Sequence, residues 1–167
     1  GKGPRVQLLG SGTILREVIA AADLLRQDWG IEADIWSCPS FTLLARDGED
    51  AARWNLLHPT ATPRKSYVEQ CLENTEGPVI ASTDYVRAFA DQIRPFVPHR
   101  YKVLGTDGFG RSDTREKLRH FFEVDRKWVT VAALSSLAEE EKLDRAKVGE
   151  AIKKYSLDPE KPNPLTV

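Results

Sequence analysis

The first 38 residues carry the pattern that most restricts the fold: a strand, a helix and a second strand with short connections. The strands are predicted over residues 6–10 and 33–38, and the segment between them places apolar residues at spacings of one, three and four. Such spacing is typical of a helix with one buried face. Thr13 is predicted to cap this helix and Gly30 to end it. The short connections predict a parallel crossover unit and therefore an α/β fold.

Strand patterns continue to alternate with helical patterns beyond this unit. Strands are predicted at 78–82 and 101–105, and a helical pattern over 41–57 is interrupted by Gly48. Further helices are predicted to begin at Ser or Asp caps, whose side chains accept hydrogen bonds from the first unpaired backbone N–H groups. These caps are Ser66, Asp84, Asp113, Asp125 and Asp144.

Length and composition fit one folded domain. A chain of 167 residues suits a single domain, and 41% hydrophobic residues supply the core that a disordered chain lacks. Residues 1–5 are predicted to be a linker, 6–157 the domain and 158–167 a proline-containing tail. Because methionine is absent even at position 1, we expect the chain to be a piece of a longer protein.

Charge and cysteine content argue against several classes of protein. Lys and Arg number 24 against 25 Asp and Glu, so the basic excess typical of a nucleic-acid partner is missing. No apolar run approaches the roughly 18 residues of a membrane helix, and the first residues do not resemble a signal peptide. Two cysteines cannot form a disulfide framework, which indicates a reducing compartment, the cytoplasm.

The turn at residues 10–13, Gly-Ser-Gly-Thr, is the first candidate site. It lies where a predicted strand gives way to a helix, so backbone N–H groups and the helix dipole are placed to hold an anion. It matches neither a Walker loop nor the Gly-x-Gly-x-x-Gly pattern. The alternative is a tight strand-to-helix turn without a ligand.

The glycine-rich loop after the fourth predicted strand is the second candidate. Its charged residues alternate in sign, and it lies at the edge where open α/β sheets bind ligands. Arg111 and Arg115 are candidates to bind an anion, or the loop is held by its own ion pairs or faces another domain. We expect Arg111 to pair with a loop carboxylate or a facing domain, because a guanidinium bonds a carboxylate at two points. The candidates for an interface or anion site are Asp107, Arg111, Asp113 and Arg115.

Residue types that carry catalysis or bind metals show no supporting arrangement in the sequence. The histidines at positions 58, 99 and 120 are not at metal-ligand spacing, and Cys38 and Cys71 form no Cys-x-x-Cys pair. Cys38 ends an apolar strand, where a buried thiol is common. No catalytic, cofactor-binding or metal-binding residue is therefore predicted.

Several segments together resemble a known family. Residues 6–17 (VQLLGSGTILRE) resemble the opening strand and helix of the transketolase C-terminal domain. The version that they resemble is that of homodimeric, thiamine diphosphate-dependent first components of pyruvate dehydrogenase complexes. The run GTDGFGRSD…LRHFFEVD is the most specific part of the resemblance. The further matching segments are 40–59, 81–85, 103–125 and 131–134.

The resemblance implies a fold and a role. The implied fold is a three-layer α/β/α sandwich with a mostly parallel sheet of about five strands, the fifth expected within residues 126–134. The implied longer enzyme uses thiamine diphosphate and Mg²⁺ to decarboxylate pyruvate and then acetylates the lipoyl group of the acetyltransferase component. Its cofactor lies between two preceding domains, so none is expected in this chain. The implied partners are those preceding domains, a homodimer partner and the acetyltransferase component.

Three functions from different classes remain open. The first is a non-catalytic C-terminal domain that supports the dimer and the cofactor domains of such an enzyme. The second is an autonomous module that binds a small anion or a nucleotide. The third is a docking surface for other components of the complex.

Overall fold

The computed structural model describes residues 3–84, 87–105, 117, 119, 120 and 123–164. The helix predicted to follow Asp113 and most of the glycine-rich loop lie outside these residues. The four charged candidates of that loop, Asp107, Arg111, Asp113 and Arg115, therefore also lie outside them.

Strands and helices alternate through the first two-thirds of the chain, and helices follow. One 3-10 turn, Gly12–Ile14, precedes the first helix, and another, Arg94–Phe96, precedes the fourth strand. The elements are β1 (Arg5–Gly10), α1 (Leu15–Trp29), β2 (Glu32–Ser37), α2 (Phe41–Leu57), α3 (Tyr67–Leu72), β3 (Val79–Ser82), α4 (Arg87–Asp91), β4 (Tyr101–Leu104), α5 (Arg126–Glu139) and α6 (Arg145–Lys154).

The described strands form one parallel sheet in the order β2-β1-β3-β4. β1 pairs with β2 on one side, with Leu8 opposite Ile35, and with β3 on the other, with Leu8 opposite Ile80. The chain therefore moves outward from β1 in both directions, as in doubly wound α/β folds. This arrangement confirms the predicted α/β class.

The fifth strand expected within residues 126–134 is wrong. That stretch is the first part of α5, whose N-cap Asp125 accepts a hydrogen bond from the backbone N–H of Trp128 at 3.1 Å. Half of the residues in α5 are buried. The strand was expected only from the resemblance, whereas the helix predicted to begin at the Asp125 cap is confirmed.

Helices cover both faces of the sheet and make the predicted three layers. α1, α5 and α6 pack on one face, whereas α2, α3 and α4 pack on the other. Alternate residues of β1 divide between the two cores, Val6 and Leu8 in one and Leu9 in the other. Ile80 of β3 joins the first core, and its neighbours in the strand join the second.

Three of the predicted N-caps are confirmed. Ser66, Asp125 and Asp144 each accept a hydrogen bond from a backbone N–H at the start of their helix. Gly30 ends α1 with a φ of 66°, which glycine adopts without steric cost. Thr13 lies inside the 3-10 turn and does not cap α1.

α2 is continuous, although Gly48 was expected to interrupt it. Gly48 is buried, and a Cβ atom at this position would lie 2.5 Å from the ring of Phe96. The glycine is therefore explained by the close approach of an aromatic ring and not by a break in the helix. Tertiary packing outweighs the weak helix propensity of a single glycine.

Candidate functional site

The carboxyl ends of β1 and β3 meet at the point where open α/β sheets usually bind ligands. The turn at residues 10–13 lies there and is joined to the end of β3 by side-chain hydrogen bonds. Ser11 Oγ donates to Thr83 Oγ1 at 3.0 Å between buried residues. Thr13 Oγ1 donates to Asp84 Oδ2 at 2.7 Å. Both hydroxyls of the predicted anion turn thus contact the neighbouring loop.

Gly10 allows close packing between the end of β1 and the start of α1. A Cβ atom on Gly10 would lie 2.9 Å from Val18 Cγ2 and 3.1 Å from the Cα of Leu15. The absence of a side chain lets the start of α1 approach the end of β1 closely. This geometry favours the prediction of a tight strand-to-helix turn over that of an anion site.

The segment before α5 packs over the same edge of the sheet. Ser82 Oγ donates to the backbone oxygen of Val124 at 3.0 Å, in a buried hydrogen bond. Val124 is itself fully buried. The end of β3 is therefore covered by the chain itself, 42 residues further along the sequence.

A buried carboxylate anchors this segment to α1. Glu17 accepts hydrogen bonds from Arg126, at 3.0 Å from the backbone N, 3.2 Å from Nε and 3.1 Å from Nη2. Arg119 Nη1 lies 3.7 Å from Glu17 Oε2. Burial alone would raise the pKa of Glu17, but the hydrogen bonds and charge of Arg126, with the charge of Arg119, outweigh burial and lower it. Glu17 is therefore a charged structural anchor at neutral pH.

These residues do not fit thiamine diphosphate with Mg²⁺. A diphosphate needs backbone N–H groups or cations facing it, and here the Asp84 carboxylate accepts from the turn. Glu17 is already held by Arg126, so its oxygens are not directed at a metal ion. Among the described residues, no group of three or more His, Cys, Asp or Glu side chains is arranged as a metal site.

A cleft of about 370 Å³ lies between the end of β2 and helices α2 and α3. Its lining is mainly apolar and includes Trp36, Leu43 and Tyr67, together with both thiols, Cys38 and Cys71. Burial, with a smaller contribution from Cys71, raises the pKa of Cys38 to about 12. Cys38 is therefore protonated at neutral pH and is a poor nucleophile. The cleft is suited to an apolar group and not to acid–base chemistry.

The three histidines make separate contacts. His58 stacks on Trp54 with ring centroids 4.1 Å apart. His99 Nε2 lies 3.0 Å from the backbone oxygen of Leu72, and His120 Nδ1 lies 3.1 Å from Asp125 Oδ2. In the part of the chain that the structure describes, no helix is long and apolar enough to cross a membrane.

The sequence analysis does not predict the ion pair between Glu17 and Arg126. The partners are 109 residues apart, so no local spacing links them. The available signal was the position of Glu17, four residues before buried Ala21 on the inner face of α1. A carboxylate at such a position needs a buried cation or hydrogen-bond donor.

Comparison with known proteins shows the family. The family model described as the transketolase-like TK C-terminal domain matches residues 1–125. The proteins named pyruvate dehydrogenase E1 component are similar to this chain: 75% identical in Cupriavidus necator over 164 residues, 64% in Pseudomonas aeruginosa over 161 and 53% in Escherichia coli K12 over 165. These matches cover 96–98% of this chain but 18% of each relative.

A solved structure agrees with the fold. It is described as a split gene transketolase, an inactive beta4 tetramer, and matches with a TM-score of 0.54 at 17% identity. The match covers 82% of this chain and 40% of that chain, and at this identity it supports the fold alone. The chain spans less than a fifth of the length of the relatives named above. The chain belongs to the family of transketolase-like C-terminal domains.

Proposed function

We propose that the chain is the non-catalytic C-terminal domain of a pyruvate dehydrogenase E1 component and supports the fold and dimer of that enzyme. The observation that carries this proposal is that the described side chains at the ligand edge of the sheet are bonded to other parts of the domain. Ser11 contacts Thr83 there, Ser82 bonds the segment before α5, and Glu17 is held by Arg126. Side chains that would serve a ligand are thus used to hold the domain together.

The relatives suggest the chemistry of the longer protein. The full-length enzyme would depend on thiamine diphosphate and Mg²⁺, decarboxylate pyruvate and acetylate the lipoyl group of the acetyltransferase component. It would act as a homodimer in the cytoplasm, and the two free thiols agree with a reducing compartment. Its cofactor site would lie in the preceding domains, as the resemblance implies, and the bonded state of Thr13 and Glu17 in this chain supports that placement.

A chimera tests the proposal directly. This chain replaces the matching 164 residues in the Cupriavidus necator relative, at 75% identity. Pyruvate-dependent acetylation of the lipoyl domain of that organism's acetyltransferase component is then measured, and dimer formation is followed by sedimentation. We expect a dimer whose acetylation rate is within about tenfold of that of the parent, since a fold is expected to be shared at 75% identity and the proposal assigns no catalytic group to this segment.

Two controls accompany the chimera. The relative shortened by its matching segment is expected to lose the dimer or the activity, and full retention of both contradicts a supporting role. The isolated chain, with thiamine diphosphate and Mg²⁺ added, is expected to melt cooperatively and to leave pyruvate unchanged. Turnover of pyruvate by the isolated chain contradicts the assignment as a non-catalytic domain.

The anion-binding alternative makes a different prediction. Asp107, Arg111, Asp113 and Arg115 remain candidates for an interface or an anion site, because they lie outside the described residues. If the chain is an autonomous anion-binding module, inorganic phosphate or a nucleotide binds the isolated wild-type chain. That binding is then lost in Arg111→Ala while the melting temperature is retained. Such a result favours the alternative over the supporting role.

A further inference from the structure

The second half of α2 and the loop after it extend away from both cores. The buried residues of α2 are Phe41, Ala45 and Gly48, all within its first half. The side chains from residue 49 to 57 are half-buried or exposed, and residues 56–65 are all exposed. We call residues 49–65 the α2 arm.

The α2 arm is held in shape by contacts of its own. Trp54 is stacked between His58, at 4.1 Å between ring centroids, and the guanidinium of Arg64, at 3.9 Å from the ring centroid. Asn55 binds the backbone of Arg64 at both ends of its amide, donating to the oxygen at 2.9 Å and accepting from N–H at 2.7 Å. Lys65 Nζ pairs with Glu73 at 2.6 Å where the arm returns to α3. The arm is therefore preorganised without the support of a core.

The tip of this preorganised arm presents apolar surface. Leu56 is 77% exposed and Leu57 is 55% exposed, on two adjacent positions of the last turn of α2. A single exposed leucine is ordinary on a protein surface. Two adjacent leucines on a protruding and internally braced element form a patch of the kind that partners cover.

The length of the relatives indicates which partner covers the α2 arm. More than four-fifths of each relative lies outside the matched segment, and in such a protein it is tethered to the domain that carries the arm. A tethered surface has an effective concentration of about millimolar, so it covers an apolar patch ahead of a free partner. We propose that the α2 arm is the surface by which this domain packs against the preceding part of the same polypeptide, with Leu56 and Leu57 as its apolar contacts. The inference rests on the proposed function, since it needs the longer chain.

Thiol footprinting on the full-length chimera tests the inference. Leu56→Cys is placed in a Cys71→Ser background, where Cys38 is buried and protonated. A maleimide reagent is added to the isolated chain and to the chimera, and labelling at position 56 is followed by mass spectrometry of the peptide that carries it. Asp23→Cys, on α1 at the other face of the sheet and with a side chain 53% exposed, is the control.

Each outcome decides a separate question. We expect labelling at position 56 to be about tenfold or more slower in the chimera than in the isolated chain, with position 23 little changed. Equal rates at position 56 in an active chimera overturn the inference and leave the proposed function intact. Slowing in the isolated chain as its concentration rises assigns the arm to a second copy and also overturns the inference. An inactive chimera contradicts the proposed function, and the inference falls with it.

Discussion

Replacing Glu17 by Gln removes the negative charge at the centre of the contact between α1 and α5 while keeping the shape of the side chain. An amide oxygen at the Oε1 position still accepts from the backbone N–H and from Nε of Arg126, but the negative charge and the bond from Nη2 to Oε2 are lost. An amide NH₂ group then faces the guanidinium, so two donors oppose each other. The substitution therefore tests whether charge or packing holds this contact.

The expected loss follows from the exposure of the two partners. Breaking a fully buried ion pair costs about 3–5 kcal/mol, and an exposed pair contributes about 1 kcal/mol or less. The Glu17 side chain is 9% exposed, but that of Arg126 is 49% exposed and can be solvated. We therefore expect Glu17→Gln to lower the free energy of unfolding by about 2 kcal/mol at pH 7. For a domain of this size that corresponds to a fall of about 4–8 °C in Tm.

The pH dependence provides a second test of the same charge. The pKa of Glu17 is lowered in the folded state, below the ordinary value of 4.5. Its stabilising contribution is thus complete above about pH 4.5 and is lost as the pH falls through the folded pKa. The difference in free energy of unfolding between wild type and Glu17→Gln is expected to be constant from pH 8 to about pH 5 and to shrink below that.

Chemical denaturation of wild type, Glu17→Gln and a control at several pH values measures these differences. The control is Asp23→Asn on the same helix, because Asp23 pairs with Arg26 and both side chains are more than half exposed. It is expected to change the free energy of unfolding by less than about 0.5 kcal/mol. Equal stability of wild type and Glu17→Gln at pH 7, or a difference that persists unchanged at low pH, refutes the electrostatic explanation.

Two other predictions concern packing and thiol chemistry. Gly48→Ala is expected to lower stability by about 1–3 kcal/mol because its Cβ would meet the ring of Phe96, whereas Gly149→Ala on α6, with open space around it, is expected to raise stability by about 0.5–1 kcal/mol. Thermal melts of both variants check this, and a loss of similar size in both contradicts it. Cys71 is expected to react with a maleimide at pH 8 about tenfold or more faster than Cys38, whose pKa burial raises to about 12. Peptide mass spectrometry after partial labelling measures the ratio, and faster labelling of Cys38 would show that its strand end opens.

Features with a local cause could be predicted from the sequence. The caps at Ser66, Asp125 and Asp144 depend on a side-chain oxygen near the first backbone N–H groups, so the residue type itself carries the signal. Gly30 ends α1 because the required backbone conformation is one that glycine adopts readily. The crossover from β1 to β2 is equally local, since short connections between a strand, a helix and a strand allow few arrangements.

Features that depend on distant contacts could not be predicted. Gly48 reads as a break in α2 until the ring of Phe96 is placed beside it. The fifth strand expected within residues 126–134 had no local signal of its own and came from the strand number of the resembled family, whereas the Asp125 cap predicts the helix found there. At the candidate site, the sequence predicts the turn at residues 10–13. It does not predict that the Thr83 hydroxyl accepts a hydrogen bond from Ser11 in this turn. The bond between Ser82 and the backbone of Val124 has no sequence pattern of its own.

The packing of α5 against α1 places the border of the family model inside one hydrophobic core. The family match ends at residue 125, and α5 begins at Arg126. Yet Ala133, Leu134 and Leu137 of α5 are fully buried in the same core as the inner face of α1. A polypeptide cut at the border of the family match would expose that core to water. A domain drawn to the border of the family model would therefore omit part of its own core, whereas the relatives match this chain through both C-terminal helices.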